Sequence, residues 1–169
     1  ASACSRRDLT IHAMLIDILD GTLVDPFHGM DDLTNRTIRA TDPTRFMEDP
    51  LRMIRAAGFA SRFEFVIDSA TANLIRSNAP RITTQAIERI YTEIVKILML
   101  SPKPSYGFEL LVDLNLLEEF LPEISVLNTI EQNPRWHPEG TVWDHTMGCI
   151  DYFPVTDRNL ILQLALLFH

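Results

Sequence analysis

Cysteine is nearly missing from these 169 residues: Cys4 and Cys149 are the two present, far apart and without a C-x-x-C spacing. That pattern supports neither a disulfide framework nor a cysteine zinc site, and it fits a reducing, cytoplasmic setting. Long apolar runs are missing too. The stretch Leu160 to Phe168 is interrupted by Gln163 and falls well short of the roughly 20 residues a bilayer crossing needs, so no membrane partner is expected. Ser5-Arg6-Arg7-Asp8 is not followed by an unbroken apolar core, which argues against a secretory leader. There is no internal repeat and no low-complexity tract. With 46% apolar and 22% charged residues, 10 prolines and 6 glycines, the composition is that of a folded protein of one ordinary domain or two small ones.

The net charge of −8 argues against a general nucleic-acid binder until its distribution is considered, and no DNA partner is expected. Residues 1–100 hold 12 basic side chains against 13 acidic ones and residues 101–169 hold 3 against 10, so the two parts carry −1 and −7. Eleven of the first 12 are arginines, the other being Lys96. Guanidinium is the group best matched to phosphate and base edges, so a polyanion would bind the first part.

The period of the apolar residues predicts a mainly α (α+β) fold. Gly21 to Asp25 reads as a short strand, entered by a turn at Asp20-Gly21 and stopped by Pro26, and is the one clearly β-flavoured region. Met53, Ala56, Ala57 and Ala60 form an apolar stripe, with Arg52, Arg55 and Arg62 on another side. Further helices are expected over 68–78, 85–100, 106–117, 142–152 and from Arg158 to the end, with 131–140 as a linker-like loop.

The segment Arg45-Phe46-Met47-Glu48-Asp49-Pro50-Leu51-Arg52-Met53-Ile54-Arg55-Ala56 carries the chemistry. Proline suits the first helical position, which makes Asp49 the N-cap and puts Arg52 three residues on. A plain helix start explains Asp49 and Pro50. It leaves Arg52 and Arg55 in the first turns, where the helix dipole disfavours cations unless something anionic lies nearby. Cytosine and adenine each present an exocyclic amine beside a ring-nitrogen acceptor, so one carboxylate and one guanidinium satisfy both bases. Uracil and guanine present the reverse order. A mismatch in a dry site leaves polar groups unpaired, enough to reject by factors of about 10⁴.

Ser5 to Met14, Asp25 to Leu33 and Arg45 to Arg55 resemble, in order, the successive motifs of class II tRNA nucleotidyltransferases, the CCA-adding enzymes and related bacterial poly(A) polymerases. Gln85 to Ile90 with Glu93 resembles the next motif. Glu131-Gln132-Asn133-Pro134 and His137-Pro138-Glu139-Gly140-Thr141-Val142-Trp143-Asp144-His145 resemble the opening of an HD domain. The resemblance implies a residual β-hairpin part of a nucleotidyltransferase head over 1–42, an all-helical neck and body over 43–130, and the beginning of an HD-type helical domain over 131–169. It implies transfer of CMP and AMP from CTP and ATP to the 3′ end of tRNA. Arg7 and Asp8 match the motif for phosphates and ribose hydroxyl, Asp49 and Arg52 match the base-reading template, and Glu48 and Arg55 are its neighbours. Asp25 and Gly29 match a motif linking head to neck, while Glu88, Arg89 and Glu93 match a helix-stabilising one.

The sequence departs from the family pattern in having His12 where Asn is usual, His28 where Gly is usual and Gly58 where a basic residue is usual. The family holds catalytic Mg²⁺ on an Asp-x-Asp upstream of the first motif, and no Asp-x-Asp occurs in these 169 residues. The chain is therefore read as a fragment of a longer enzyme, inactive alone. In the HD-like part, His145 and His169 match metal ligands, which implies a second divalent metal once that domain is complete. Alternatives left open are a bacterial poly(A) polymerase, a noncatalytic RNA-binding piece and an HD metal phosphohydrolase.

Overall fold

A computed structural model describes residues 4–133, 135–138 and 140–169. Pro134 and Glu139, both in the HD-like opening, lie outside the described residues. The chain begins with two 3-10 turns, Cys4–Arg6 and Thr10–His12, followed by an antiparallel hairpin of β1 (Leu15–Ile16) and β2 (Leu23–Val24) that pairs Leu15 with Val24. Asp17 and Asp20 accept N–H groups within the hairpin loop and Gly21 takes φ +75°, so the turn expected at Asp20-Gly21 is present. The segment Thr10–His12 makes a single 3-10 turn.

Helix α1 (Gly29–Thr34) starts where the Asp25 carboxylate accepts the N–H groups of Gly29 and Met30. A Cβ on Gly29 would run into the Thr10 carbonyl, so only glycine lets α1 lie this close to the second turn. Strand β3 (Thr37–Ile38), α2 (Pro43–Phe46), α3 (Leu51–Phe63) and β4 (Val66–Ile67) follow. β3 and β4 pair in parallel, which corrects the expectation of a single β-flavoured region. Two residues on each strand are too few to show a period of two. They meet because Glu64, in a left-handed conformation at φ +54°, turns the chain sharply off α3.

Helix α3 is the hub. Met53, Ala56, Ala57 and Ala60 are fully buried, as the stripe predicts, and small residues there let α5 (Ile87–Leu100) and α6 (Pro104–Asp113) pack against it. Between α3 and β4's partner helix, α4 (Ser69–Asn78), Asp68 caps α4 and pairs with Arg39 at 2.7 Å, while Arg39 Nε also donates to Asp32. On α5, Ile90, Ile94, Ile97 and Leu98 are buried, whereas Ile87 is exposed at the first turn.

The helix expected over 106–117 ends at Asp113, because Asn115 adopts a left-handed conformation. It gives way to the short α7 (Leu117–Phe120) and α8 (Pro122–Ser125). Helix α9 (Val142–Asp151) starts from a capping box between Thr141 and Asp144. Asp151 at its other end accepts from the Ser105 N–H at 2.9 Å and hydroxyl at 2.6 Å. Arg158, buried, donates to the carbonyls of Leu98, Ser101, Pro102 and Phe153, tying the end of α5 to the segment before α10 (Leu160–Leu167). Helix α10 begins after the cap Asn159 and ends at Leu167, so His169, expected inside a continuing helix, follows its end. The apolar core runs from Leu9 to Leu167.

Gly107 faces the α3–α5–α6 junction, where a Cβ would stand 2.5 Å from the Ile97 methyl and 2.9 Å from the Ser61 hydroxyl. Gly148 on α9 has open space in that direction. Gly107→Ala is expected to lower unfolding stability by about 1–3 kcal/mol through overpacking. Gly148→Ala is expected to leave it equal or raise it by up to about 1 kcal/mol. Urea denaturation of the two variants checks the contrast.

Candidate functional site

Three stretches that are remote in sequence meet at the N-terminal end of α3: the segment around Arg6 to Asp8, the turn before Leu51 with the first turns of α3, and the start of α5. They enclose a cleft of about 260 Å³ lined by Arg6, Arg7, Asp8, Asp49, Leu51, Arg52, Arg55 and Arg89. Five guanidinium groups against two carboxylates give the cleft a formal surplus of three positive charges, in a chain of net −8. Such a cleft attracts an anion. Arg6 and Arg7 are exposed at its mouth.

Asp8 is only 7% exposed. Its Oδ2 accepts from Arg55 Nε at 2.8 Å and Nη2 at 2.7 Å, and its Oδ1 accepts from the Leu9 N–H at 3.0 Å and faces His12 Nδ1 at 3.3 Å. Burial by itself pushes this carboxyl up. The hydrogen bond to His12 and the Arg55 guanidinium outweigh it and hold Asp8 well below the usual carboxylate range. Asp8 is thus the anion that the cations at the start of α3 call for.

Asp49 and Arg52 open into the same cleft without bonding to each other. Asp49 Oδ2 accepts from Arg89 Nη2 at 2.8 Å and Oδ1 from the Leu51 N–H at 3.1 Å. Arg52 donates to the carbonyls of Arg45 at 2.5 Å and Arg6 at 3.1 Å. The N-cap expectation needs a correction of one residue: α3 begins at Leu51 with Pro50 in the cap position, although the Asp49 carboxylate still takes the first helical N–H.

Glu48 does not reach the cleft. It is exposed and lines a separate depression with Pro43, Thr44 and Arg81, because consecutive side chains in this turn point different ways and Met47 takes the buried one. Arg89, assigned by the resemblance to a helix-stabilising motif, instead lines the cleft and pairs with Asp49 as well as with Gln85. Glu93 is buried and pairs with Lys96 at 2.7 Å, while Glu88 is exposed in the first turn of α5. His12 packs edge-on against Phe59 with ring centres 4.4 Å apart. His28 stands at φ +58°, a left-handed position glycine takes without steric cost, which accounts for the usual Gly there.

A second group of polar side chains lies between α9 and the end of α10. His145, Cys149 and His169 offer ligand atoms all within 4.8 Å of one another. His145 and Cys149 also line a cleft of about 320 Å³ with Gly148, Tyr152 and Leu166. The sequence reading named His145 and His169 and missed Cys149, having weighed cysteine only for a second cysteine. The signal was the i, i+4 spacing from His145, which puts the two on one helix face.

Two family models match in order: the poly A polymerase head domain over residues 2–39 and the probable RNA- and SrmB-binding site of polymerase A over 64–127. The Multifunctional CCA protein of Dechloromonas aromatica (strain RCB) is 41% identical over 168 residues, 98% of this chain and 40% of that one. The chain belongs to the class II nucleotidyltransferase family of CCA-adding enzymes and bacterial poly(A) polymerases. The Multifunctional CCA protein of Janthinobacterium sp. (strain Marseille) is 40% identical over 97% of the chain and 39% of its own length. The Thermotoga maritima CCA-adding enzyme complexed with tRNA-CCA superposes with a TM-score of 0.68 at 26% identity, over 88% of this chain and 34% of that one. The chain thus spans about 40% of the length of these curated relatives.

Because Asp8 titrates below its ordinary value of 3.8, its ionised form adds stability that is fully present above that value and is lost as the pH falls beneath it. Asp8→Asn is expected to cost about 1–3 kcal/mol at pH 7, with the gap to the unsubstituted protein narrowing below about pH 4. Denaturation at pH 7 and pH 2.5 checks this; a gap that stays constant contradicts it.

Proposed function

We propose that this chain is the nucleotide-selecting part of a CCA-adding tRNA nucleotidyltransferase, the enzyme that transfers CMP and AMP from CTP and ATP to the tRNA 3′ end. The observation carrying this is that Asp49 and Arg52 open into one solvent-filled cleft whose surplus charge suits a triphosphate. In this reading Asp49 Oδ2 accepts the exocyclic amine of C or A, and Arg52 donates to the adjacent ring nitrogen. Arg6, Arg7 and Arg55 face the phosphates. Asp8 holds Arg55 in place, and a ribose hydroxyl reaches its carboxylate by replacing one of the donors it has now. Arg89 holds Asp49 in place until a base arrives.

The domain organisation that goes with this is the end of a head over 1–42, a neck and body over 43–130, and the start of an HD-type domain over 131–169. The two family models fall within the first two of these segments. The relatives' CCA names support CCA addition over poly(A) synthesis. The cytoplasm, where tRNA and nucleoside triphosphates meet, is the setting this reading implies. Among the described residues no helix is long and apolar enough to cross a membrane.

The residues of the cleft do not fit the catalytic Mg²⁺. A two-metal phosphoryl transfer needs neighbouring carboxylates with lone pairs to spare. Here Asp8 is fully taken up by Arg55, His12 and the Leu9 N–H, which leaves Asp49, itself paired with Arg89, as a single carboxylate without a free neighbour. Those ligands belong to the family's upstream Asp-x-Asp, so binding and selection, not bond-making, are what this chain contributes.

In the complete enzyme, Asp49→Ala or Arg52→Ala is expected to reduce discrimination of CTP and ATP over UTP and GTP by about 10² or more, with thermal unfolding of the protein little changed. Single-turnover incorporation with each of the four triphosphates measures it. Unchanged selectivity would reject the assignment.

A further inference from the structure

Asp8 lines the nucleotide cleft with both carboxylate oxygens already in use, so a ribose hydroxyl binds there only if a present donor yields. The donors are not equally held. Arg55 gives Oδ2 two charge-assisted bonds at 2.8 and 2.7 Å, and the Leu9 N–H at 3.0 Å belongs to a backbone fixed by the pairing of Leu9 with Ala40. His12 Nδ1, 3.3 Å from Oδ1, makes the longest of these contacts, and its side chain is 30% exposed. We propose that His12 is a specificity-determining residue for the sugar: it competes with the 2′-hydroxyl for Asp8 Oδ1, so that selection of a ribonucleotide over a 2′-deoxyribonucleotide depends on the protonation of its imidazole. This rests on the reading of Asp8 as the ribose contact.

The surroundings let the ring move while its backbone stays. The turn Thr10–His12 is pinned: the Thr10 hydroxyl donates to Asp32 at 2.6 Å, the Thr10 N–H donates to the Arg39 carbonyl at 3.0 Å, and Gly29 packs on the Thr10 carbonyl. The imidazole itself is retained by Asp8 and by its edge-on contact with Phe59. The charged groups facing it are Asp8 from its own segment and Arg55 from α3, whose guanidinium lies 5.5 Å over that same Phe59 ring. Helix α1, packed on the turn, brings Asp32, committed to Thr10 and Arg39, and Asp31, which stands by His28. Arg7, the neighbour of Asp8, is exposed. Imidazole changes charge between about pH 5 and 8, whereas Asp8, held well below the usual carboxylate range, stays ionised throughout. An imidazolium donates a charge-assisted bond to a carboxylate, about twice as strong as that of the neutral ring. The 2′-hydroxyl therefore displaces the neutral ring more readily than the charged one. Asparagine, usual at this place, donates the same kind of bond with no proton to lose, so His12 turns a constant competitor into a titratable one.

Single-turnover incorporation of CTP and of 2′-deoxy-CTP by the complete enzyme measures the competition. The ratio of the two kcat/KM values cancels the ionisation of the triphosphate, which both nucleotides share. That ratio is expected to rise about five- to tenfold between about pH 5.5 and pH 8, and His12→Asn is expected to flatten it. A purely structural role for His12 would move both nucleotides together and leave the ratio level. Should the His12→Asn protein fail to fold, calorimetry of the unsubstituted enzyme in buffers of different ionisation enthalpy reads the same competition: near about pH 6.5, CTP is expected to release more protons on binding than 2′-deoxy-CTP. A ratio level with pH, a slope that survives His12→Asn, or equal proton release would each overturn the proposal. Asp8→Ala separates this from failure of the reading beneath it: loss of discrimination at every pH retains the ribose contact at Asp8, and discrimination unchanged by that substitution removes the contact and the proposal with it.

Discussion

The Asp8 carboxylate lies almost out of water and yet ionised, a state that burial disfavours by several kcal/mol unless the charge is matched. Arg55 matches it with two N–H groups and His12 with a third contact. Because these partners come from α3 and from the turn after Asp8, the pair fixes the N-terminal segment against the hub helix. Arg6 is then placed so that its carbonyl accepts from Arg52, and Arg6 and Arg7 overhang the cleft that α3 begins. Without this one ion pair the segment has few apolar anchors beyond Leu9 and Ile11. The mouth of the cleft would then lose its geometry before the rest of the core noticed.

The same pair resolves a conflict written into the start of α3. Two arginines in the first two turns oppose the helix dipole by a few tenths of a kcal/mol to about 1 kcal/mol each. Arg55 is compensated by Asp8, and Arg52 donates to two backbone carbonyls. Asp49 is held in turn by Arg89 from α5. These side chains are therefore held in orientation before any ligand arrives, which reduces the ordering cost of binding. A base that takes the Asp49 oxygen must share it with or displace Arg89, so discrimination is set by the difference between two hydrogen-bonded states and not by the gross strength of either.

How much of this was legible in the sequence follows from range. The stripe Met53, Ala56, Ala57, Ala60 declares α3 because its contacts repeat within the helix, and every one of those residues is buried. The helices over 68–78 and 142–152 were legible for the same reason, and they start where Asp68 and the Thr141–Asp144 box cap them. Arg89 escaped: its partner is 40 residues away, and an exposed arginine near Glu88 and Glu93 reads locally as an ordinary helix-surface charge. The β3–β4 pair escaped because two residues carry no period. Glu48 was placed wrongly because adjacency in sequence says nothing about direction in a turn. Cys149 was invisible as long as cysteine was asked only for a second cysteine, when its partner was a histidine one turn away.

The uneven charge of the chain now has a structural counterpart. The first hundred residues are close to neutral overall, yet they concentrate a local excess of cations in one cleft. The strongly acidic remainder holds the imidazole–thiol group. At physiological salt the Debye length is about 8 Å, so neither charge set governs the other across the fold. What each does is local: the arginine cleft favours a polyanion at its own mouth, and the acidic remainder disfavours one. A polyanion approaching this surface is therefore drawn to the first part and repelled from the second, so the distribution of charge orients it although the net charge of the chain opposes it.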